Sequence, residues 1–192
     1  MKVKRVLAYC IDMILVTFIS SVIFSLPFFE NDYNNYLELS DKLVSSMNDD
    51  DITNGELINL EYDLTKAGSN LFIIKLGVTF FYFGILGFLF NGRTLGKRIF
   101  KLRIIPMGSV NLRPGLFILR SIIVNNILFD SISVLSLILG LKGVWLLVNS
   151  LVSIISYLIM FILLIFMFVR DDGRSLHDLL CKSAVILEKE NL

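Results

Sequence analysis

Residues 6–29 read VLAYCIDMILVTFISSVIFSLPFF, a run of apolar side chains with one carboxylate, Asp12, near its start. A helix needs about 20 apolar residues to cross the hydrocarbon core of a bilayer, so this run is long enough to span it. We expect the run to be retained as an anchor, because it contains Asp12 and no small-x-small cleavage site follows it. A carboxylate at the centre of a span costs about 2.5–3.5 kcal/mol, and less towards its edge, so Asp12 is a candidate functional residue.

Three further apolar runs cover residues 71–90, 116–139 and 144–169. With 55% apolar and 12% aromatic residues among 192, the composition is that of a membrane protein rather than a soluble one. The sequence therefore predicts an all-α membrane protein with four transmembrane helices. Run 116–139 is the weakest of the four because it holds polar and charged side chains, and the fallback is three transmembrane helices plus an interfacial helix. These side chains are Arg120, Asn125, Asn126 and Asp130.

The charges are segregated along the chain, although their sum is only +1. Segment 30–70 holds ten acidic residues and two lysines, whereas segment 91–115 holds six basic residues and no acid. By the positive-inside rule, loop 91–115 and both termini, including the tail 170–192, are expected in the cytoplasm. The acidic loop 30–70 is then extracytoplasmic, and the expected location is a bacterial-type cell membrane that the chain crosses several times.

The acidic loop is expected to contain short helices. Its leucines recur at helical spacing on both sides of the polar break NDDDITNG, which predicts two short amphipathic helices. The loop and the four runs are expected to form one integral membrane domain over 1–192.

Each predicted span carries polar side chains at i, i+4 and i+7, which place them on one helical face. If these faces turn inward, they form a polar column through much of the bilayer. Asp12, Asp130 and Lys75 are then candidate steps of a proton or cation path. The alternative is structural, because polar groups also hydrogen-bond membrane helices together at about 0.6 kcal/mol per bond. The faces are Arg5, Tyr9 and Asp12; Lys75, Thr79 and Tyr82; Asn126, Asp130 and Ser133; and Asn149, Ser153 and Ser156.

Two passages that follow predicted spans resemble each other. NGRTLGKRIFKLRII (91–105) and DGRSLHDLLCKSAVI (172–186) share Gly-Arg, a hydroxyl residue, leucine, a later lysine and an aliphatic end. This similarity is compatible with a 2+2 parallel repeat, an arrangement that places binding sites at the repeat interface. It is equally compatible with two unrelated turns that each need an arginine at a membrane surface. In the second passage, Ser175 and Asp178 fit a capping box that opens a helix.

The sequence offers no constellation for catalysis or metal binding. His177 is the single histidine and has no companion ligands nearby, so we expect no metal site, no cofactor and no catalytic residue. We therefore expect that the protein is not an enzyme. Cys10 and Cys181 are read as small apolar residues, since neither position suits a disulfide framework.

Taken together, these residues resemble the RDD family of bacterial membrane proteins, which is named for one arginine and two aspartates. Arg5 and Asp12 match the first two, and Asp178 in SLHDLL is similar to the third. GRTLGKRIFKLRI, with Gly92, Gly96 and Lys97, resembles the glycine-lysine motif of the family, and Arg120 resembles an arginine early in the next helix. Where the family usually continues with a small residue, glycine and threonine, this chain has Cys181, Lys182 and Ser183.

The resemblance implies an integral membrane protein for which ligand or ion transport is the usual suggestion. Our leading hypothesis is a transporter of a small ligand or ion. The alternative is a non-transporting membrane adaptor or a regulatory partner of another membrane protein. The expected partners are the lipid bilayer and either further copies of the chain or another membrane protein, with no nucleic acid.

Overall fold

The computed structural model describes residues 1–47, 52–107, 114–140 and 142–188. The remaining residues include parts of the predicted acidic loop (48–51), of the basic loop (108–113) and of the tail (189–192), and those parts of the predictions lie outside the described residues. All statements below concern the described ranges.

The first apolar run forms helix α1 (Lys2–Phe24). Its buried residues recur every four positions, at Ala8, Asp12, Val16, Ser20 and Phe24, so one narrow face packs against the protein. The opposite face is not covered by other parts of the protein: Ile14 is 70% exposed there and suits contact with lipid chains. The helix ends just before Pro27, which opens a short 3-10 turn, Pro27–Phe29.

The acidic segment forms two packed helices, α2 (Glu30–Met47) and α3 (Asn54–Ala67), as its leucine pattern predicts. Thr53 caps α3 through a capping box with Glu56, which fixes where that helix begins. We call this end of the molecule the acidic end.

The second span is a continuous helix from Ser69 to Leu89 with an unusual middle. It consists of α4 (Ser69–Thr79), a π-helical segment Phe80–Leu86 and α5 (Gly87–Leu89). π-helical turns are rare and are frequently found at functional sites. Tyr82 lies in this segment and is buried.

The third predicted span is broken in the middle. Helices α7 (Pro114–Val124) and α8 (Ile127–Ile138) meet at an angle of 63°. Asn126, at the break, has φ +53°, a left-handed conformation that asparagine tolerates better than most residues. The predicted single run 116–139 is therefore a bent pair of helices.

The fourth span is α9 (Lys142–Val169), with 28 residues. Within the described residues, three helices are each long and apolar enough to cross a membrane, and the bent pair makes up to four. The protein is thus an all-α membrane protein, as predicted.

A two-stranded sheet lies at the end of the molecule opposite the acidic end. We call this the hairpin end, although its two strands are not consecutive in the chain. Strands β1 (Leu102–Pro106) and β2 (Ser183–Leu187) pair antiparallel, with Leu102 opposite Leu187. Each strand follows a short helix, α6 (Leu95–Ile99) or α10 (Leu176–Leu180). The prediction of a plain basic loop and tail was therefore incomplete.

The two similar passages share their backbone design as well as their sequence. Each has a glycine with positive φ, a short helix, a lysine with positive φ and then a strand. The paired residues are Gly92 (φ +78°) with Gly173 (φ +63°) and Lys101 (φ +56°) with Lys182 (φ +46°). A Cβ on Gly92 would collide with Ile104, so glycine is needed there for space as well as for its conformation. Duplication of the whole pair of spans stays a prediction.

Candidate functional site

Asp12 is the buried centre of a hydrogen-bond cluster that joins three parts of the chain. Its side chain has no exposed surface. Oδ1 accepts hydrogen bonds from the Tyr82 hydroxyl at 2.6 Å and from the Gly96 backbone N–H at 2.7 Å, and Oδ2 accepts one from the Thr94 hydroxyl. The Tyr82 oxygen in turn accepts the backbone N–H of Leu95 at 3.0 Å. These donors offset much of the cost of burying a polar group.

This cluster forms because α6 lies directly on α1. A Cβ on Gly96 would collide with the backbone carbonyl of Ala8 and would stand 3.0 Å from the Asp12 carboxyl carbon. Only glycine lets the two helices approach this closely. Gly96 therefore positions the donors that reach Asp12.

Asp178 is the second buried carboxylate, and two arginines share it. Arg120 donates from Nε at 3.1 Å and from its terminal nitrogen at 3.0 Å to Oδ1, and Arg5 pairs with Oδ2. Arg5 also donates to the carbonyl of Gly173. The backbone N–H of Ser175 reaches the same carboxylate at 3.3 Å, as the predicted capping box requires. Asp178 thereby joins α1, α7 and α10 at the hairpin end.

The two cations fix the charge state of Asp178. Burial alone would raise the pKa of its carboxyl group, but Arg120, His177 and Arg5 outweigh burial and hold that pKa well below its usual range. Asp178 is consequently a permanent anion that balances two buried guanidinium groups.

His177 lies beside this cluster and is held neutral. Burial, aided by the positive charge of Arg120, lowers the pKa of the His177 imidazole to about 4, although Asp178 opposes this shift. Its Nε2 is 3.3 Å from Asp178, whereas its buried Nδ1 has no hydrogen-bond partner among the described residues. At neutral pH it is an uncharged ring with a spare nitrogen.

Acidification is expected to destabilise the fold through His177. The unfolded imidazole (pKa about 6.5) binds its proton before the folded one does, so stability is lost as the pH falls from about 6.5 to 4. Thermal unfolding in detergent should give a free energy of unfolding about 2 kcal/mol lower at pH 5 than at pH 7. His177→Gln should flatten this dependence, and an unchanged pH dependence in that variant would contradict the assignment.

A cavity of about 240 Å³ opens next to both clusters, and we call it the inner cavity. Charged and polar side chains line one part of this cavity, and apolar side chains line the rest. The polar lining residues are Arg5, Tyr9, Asp12, Lys97, Arg120, Ser121, Asn125, Ser175 and His177. Burial and the nearby Arg120 lower the pKa of Lys97 to about 7, against the opposing effect of Asp12 and Asp178. Lys97 can therefore gain or lose a proton near neutral pH.

A second cavity of about 350 Å³, the outer cavity, lies towards the acidic end. Its polar lining comes from the three remaining polar faces and from α3. These residues are Glu61, Thr65, Lys75, Thr79, Asn125, Asp130, Ser133 and Asn149. The Ser133 hydroxyl donates to Asn149 Oδ1 at 2.6 Å, which ties α8 to α9 along this wall.

Asn125 lines both cavities. It sits at the break between α7 and α8, is only 7% exposed, and donates from Nδ2 to the carbonyl of Ser121 at 2.8 Å. Its Oδ1 is buried and has no hydrogen-bond partner within the described ranges. A helix break inside a membrane is tolerated where it is packed in protein or lines a polar cavity.

The predicted site residues thus fall into two groups. Arg5, Asp12, Lys97 and Arg120 line the inner cavity, where Asp178 and Gly96 support them, while Lys75 and Asp130 line the outer one. That the four polar faces form one column stays a prediction. Ser153 and Ser156 of α9 lie outside the lining of both cavities.

Three residues of this site were not among the predicted site residues: Thr94, Asn125 and His177. The pair Asn125–Asn126 inside an apolar run is a signal for a helix break, because asparagine favours turns and tolerates positive φ. Thr94 and His177 have no such local signal. Their roles depend on contacts with α1 and α7.

Groups of three or more histidine, cysteine or acidic side chains that could hold a metal ion do not occur within the described residues.

A family model described as the RDD family matches residues 2–182. This range includes both buried carboxylates and every lining residue of the two cavities except Val185. No curated protein and no solved structure matches the chain.

Proposed function

This chain belongs to the RDD family, and we propose that it carries protons or small cations across a cell membrane. We propose further that the hairpin end faces the cytoplasm, because basic loops stay inside and five described basic residues lie at this end. They are Arg93, Lys97, Arg98, Lys101 and Arg103. No catalytic role is assigned.

The observation that carries the proposal is that Asn125 lines both cavities. Membrane transporters commonly bind their ions at interrupted helices, where irregular backbone lines a cavity near the midplane. Here the 63° break between α7 and α8 stands between a cavity at each end. We propose that a small cation or proton passes Asn125 on its way from the outer cavity to the inner one.

In the outer cavity, Asp130 is the proposed acceptor of the proton or cation. Lys75 lines the same cavity and supplies a positive charge when that site is empty. Glu61, an exposed residue of α3, lines the cavity from the acidic end and would attract cations towards it. In the inner cavity, Lys97 is the titratable group placed to take the proton onward.

Asp12 has a different part in this proposal. Three donors already bind its carboxylate. These contacts support a positioning role, in which Asp12 holds α6 against α1 and so closes the hairpin end. That Asp12 itself carries a proton or cation stays a prediction.

We also propose that the chain works as a homo-oligomer in the bilayer. Only 11% of the most apolar stretch of α9 is buried within the chain, so most of this helix can contact lipid or another copy of the protein. Native mass spectrometry in mild detergent tests this proposal, and a strictly monomeric particle would count against it.

The transport proposal predicts loss of flux when Asp130 is neutralised. Proteoliposomes with an imposed pH or sodium gradient should dissipate it, and Asp130→Asn should slow this dissipation at least tenfold, because the acceptor in the outer cavity is lost. The matched control is Asp41→Asn, which neutralises an exposed acid of α2 and should leave the rate unchanged.

Two outcomes would overturn the transport proposal. One is a parent protein that dissipates neither gradient faster than empty liposomes, in which case the adaptor hypothesis becomes the leading one. The other is equal flux in the parent and in Asp130→Asn.

A further inference from the structure

The inner cavity contains buried polar atoms that no protein group satisfies. His177 and Asn125 line it and are no more than 8% exposed, and His177 Nδ1 and Asn125 Oδ1 have no hydrogen-bond partner among the described residues. Such atoms carry a desolvation penalty unless a ligand or water completes them. The cavity, at about 240 Å³, is much larger than the ~30 Å³ share of one water molecule.

The charges around the inner cavity do not cancel. Three cationic side chains, Arg5, Lys97 and Arg120, face two carboxylates, Asp12 and Asp178. Asp178 is engaged by both arginines, and Asp12 by its three donors. Within the described residues the Lys97 amine has no ion-pair partner, so its protonated form leaves one positive charge unmatched. That arrangement is complementary to a single negative charge.

The cavity is also accessible from the side. Cys10 of α1 and Leu164 of α9 both line it, and both are exposed on helices that span the membrane. Most of the remaining wall is apolar, with Met160 and Met167 of α9 among the lining residues. Methionine side chains adapt readily to irregular apolar ligands. A chain-like molecule could therefore enter between α1 and α9 without leaving the lipid.

We propose that the inner cavity binds one amphiphile from the bilayer, with a singly charged oxyanion head at Lys97 and an acyl chain that leaves between α1 and α9. The spare nitrogen of His177 and the carbonyl oxygen of Asn125 would bind polar groups of the same head or a water beside it. This site goes beyond the proposed ion transport and does not depend on it.

Binding should respond to pH through Lys97. In the protein without a ligand, the pKa of the Lys97 amine is lowered to about 7, and a bound anion would raise it. Affinity should therefore be constant below about pH 7 and fall above it, by up to about tenfold per pH unit, because binding then requires uptake of a proton. The charged groups that act on Lys97 are Arg5 and Asp12 on α1, Arg120 on α7 and Asp178 on α10. The titratable side chains of Tyr9, Cys10 and His177 line the same cavity. His177 is neutral near pH 7 and above, because its pKa is lowered to about 4.

The experiment is a titration of the full chain in detergent, followed by native mass spectrometry. The probes are dioleoyl phosphatidylglycerol, oleate and dioleoyl phosphatidylcholine, at pH 6.5 and pH 8.5. We expect one bound anionic molecule per chain at a concentration at least tenfold below that needed for phosphatidylcholine. Lys97→Gln should abolish this preference, whereas Lys4→Gln, which removes an exposed charge of α1, should keep it.

The outcomes separate the sources of the ligand. If only phosphatidylglycerol binds, the ligand is a bilayer phospholipid. If only oleate binds, the ligand is a free fatty carboxylate. If both bind, the site recognises only the charged head group. Equal binding of phosphatidylcholine, or equal loss in Lys4→Gln and Lys97→Gln, would overturn the proposal. Val124→Phe provides a test without a change of charge, because it fills the cavity and should reduce binding of every amphiphile. None of these readouts involves flux, so failure here is distinct from failure of transport.

Discussion

Replacement of Asp178 by alanine is expected to lower the free energy of unfolding by about 3–5 kcal/mol, the usual penalty for removing one partner of a buried ion pair. Asp178 is fully buried, and Arg5 and Arg120, whose side chains are at most 9% exposed, both depend on it. Without the carboxylate, two guanidinium groups would remain close together with no counter-charge. The hairpin end should separate from α1 and α7 first.

The measurement is thermal or denaturant unfolding of the purified protein in one detergent. Asp172→Ala is the matched control, because Asp172 also pairs with two arginines, Arg170 and Arg174, but at an exposed position. It should leave the unfolding midpoint unchanged. Equal unfolding midpoints for Asp178→Ala and the parent would contradict the conclusion that Asp178 stabilises the hairpin end.

A second variant distinguishes loss of a charge balance from loss of a contact. When Arg5→Met and Arg120→Met are combined with Asp178→Leu, the whole buried set becomes apolar and of similar volume. Such replacements are often neutral or stabilising. We therefore expect the triple variant to recover most of the stability that Asp178→Ala loses.

The helical architecture could be predicted from the sequence because its signals are local. A run such as residues 6–29 identifies a span by length and composition alone, and the leucine spacing of the acidic segment identifies α2 and α3. The break in the third span could not be found by the same means. Its apolar run is long enough for a straight helix, and only the Asn125–Asn126 pair indicates a turn.

The strands at the hairpin end were missed for a different reason. Leu102–Pro106 and Ser183–Leu187 are five residues each and lie some 80 positions apart in the chain. Neither run is long enough for a clear alternation, and each exists only because the other completes its hydrogen bonds. Long-range pairing of this kind leaves little local trace in one sequence.

The partners of Asp12 show the same limit. Tyr82 could be expected because it lies on the polar face of its own span, as Asp12 does. Thr94 and Gly96 lie in a segment that reads as a basic loop, so their contact with Asp12 needed the fold. The family resemblance pointed to Gly96 without giving its physical role, which is to let α6 approach α1.

Replacement of Gly96 by alanine is therefore expected to destabilise the protein by about 3 kcal/mol or more, since overpacking against backbone typically costs 1–3 kcal/mol and buried donors would also lose their acceptor. The new methyl group would collide with the Ala8 carbonyl, which belongs to the backbone of α1 and cannot rotate away. Helix α6 would have to move outward, and Thr94 and the Gly96 N–H would then lose Asp12.

Gly77→Ala is the matched control for this prediction. Gly77 also lies in a helix, but a Cβ there has no neighbour within 4 Å, so alanine should leave the unfolding midpoint unchanged or raise it slightly. If Gly96→Ala proved as stable as Gly77→Ala, the close approach of α6 to α1 would not be required. If it is as unstable as we expect, Asp12→Asn in the Gly96→Ala background should cost less than in the parent. The two residues would then share one energetic role, because a carboxylate that has already lost its donors has little left to lose.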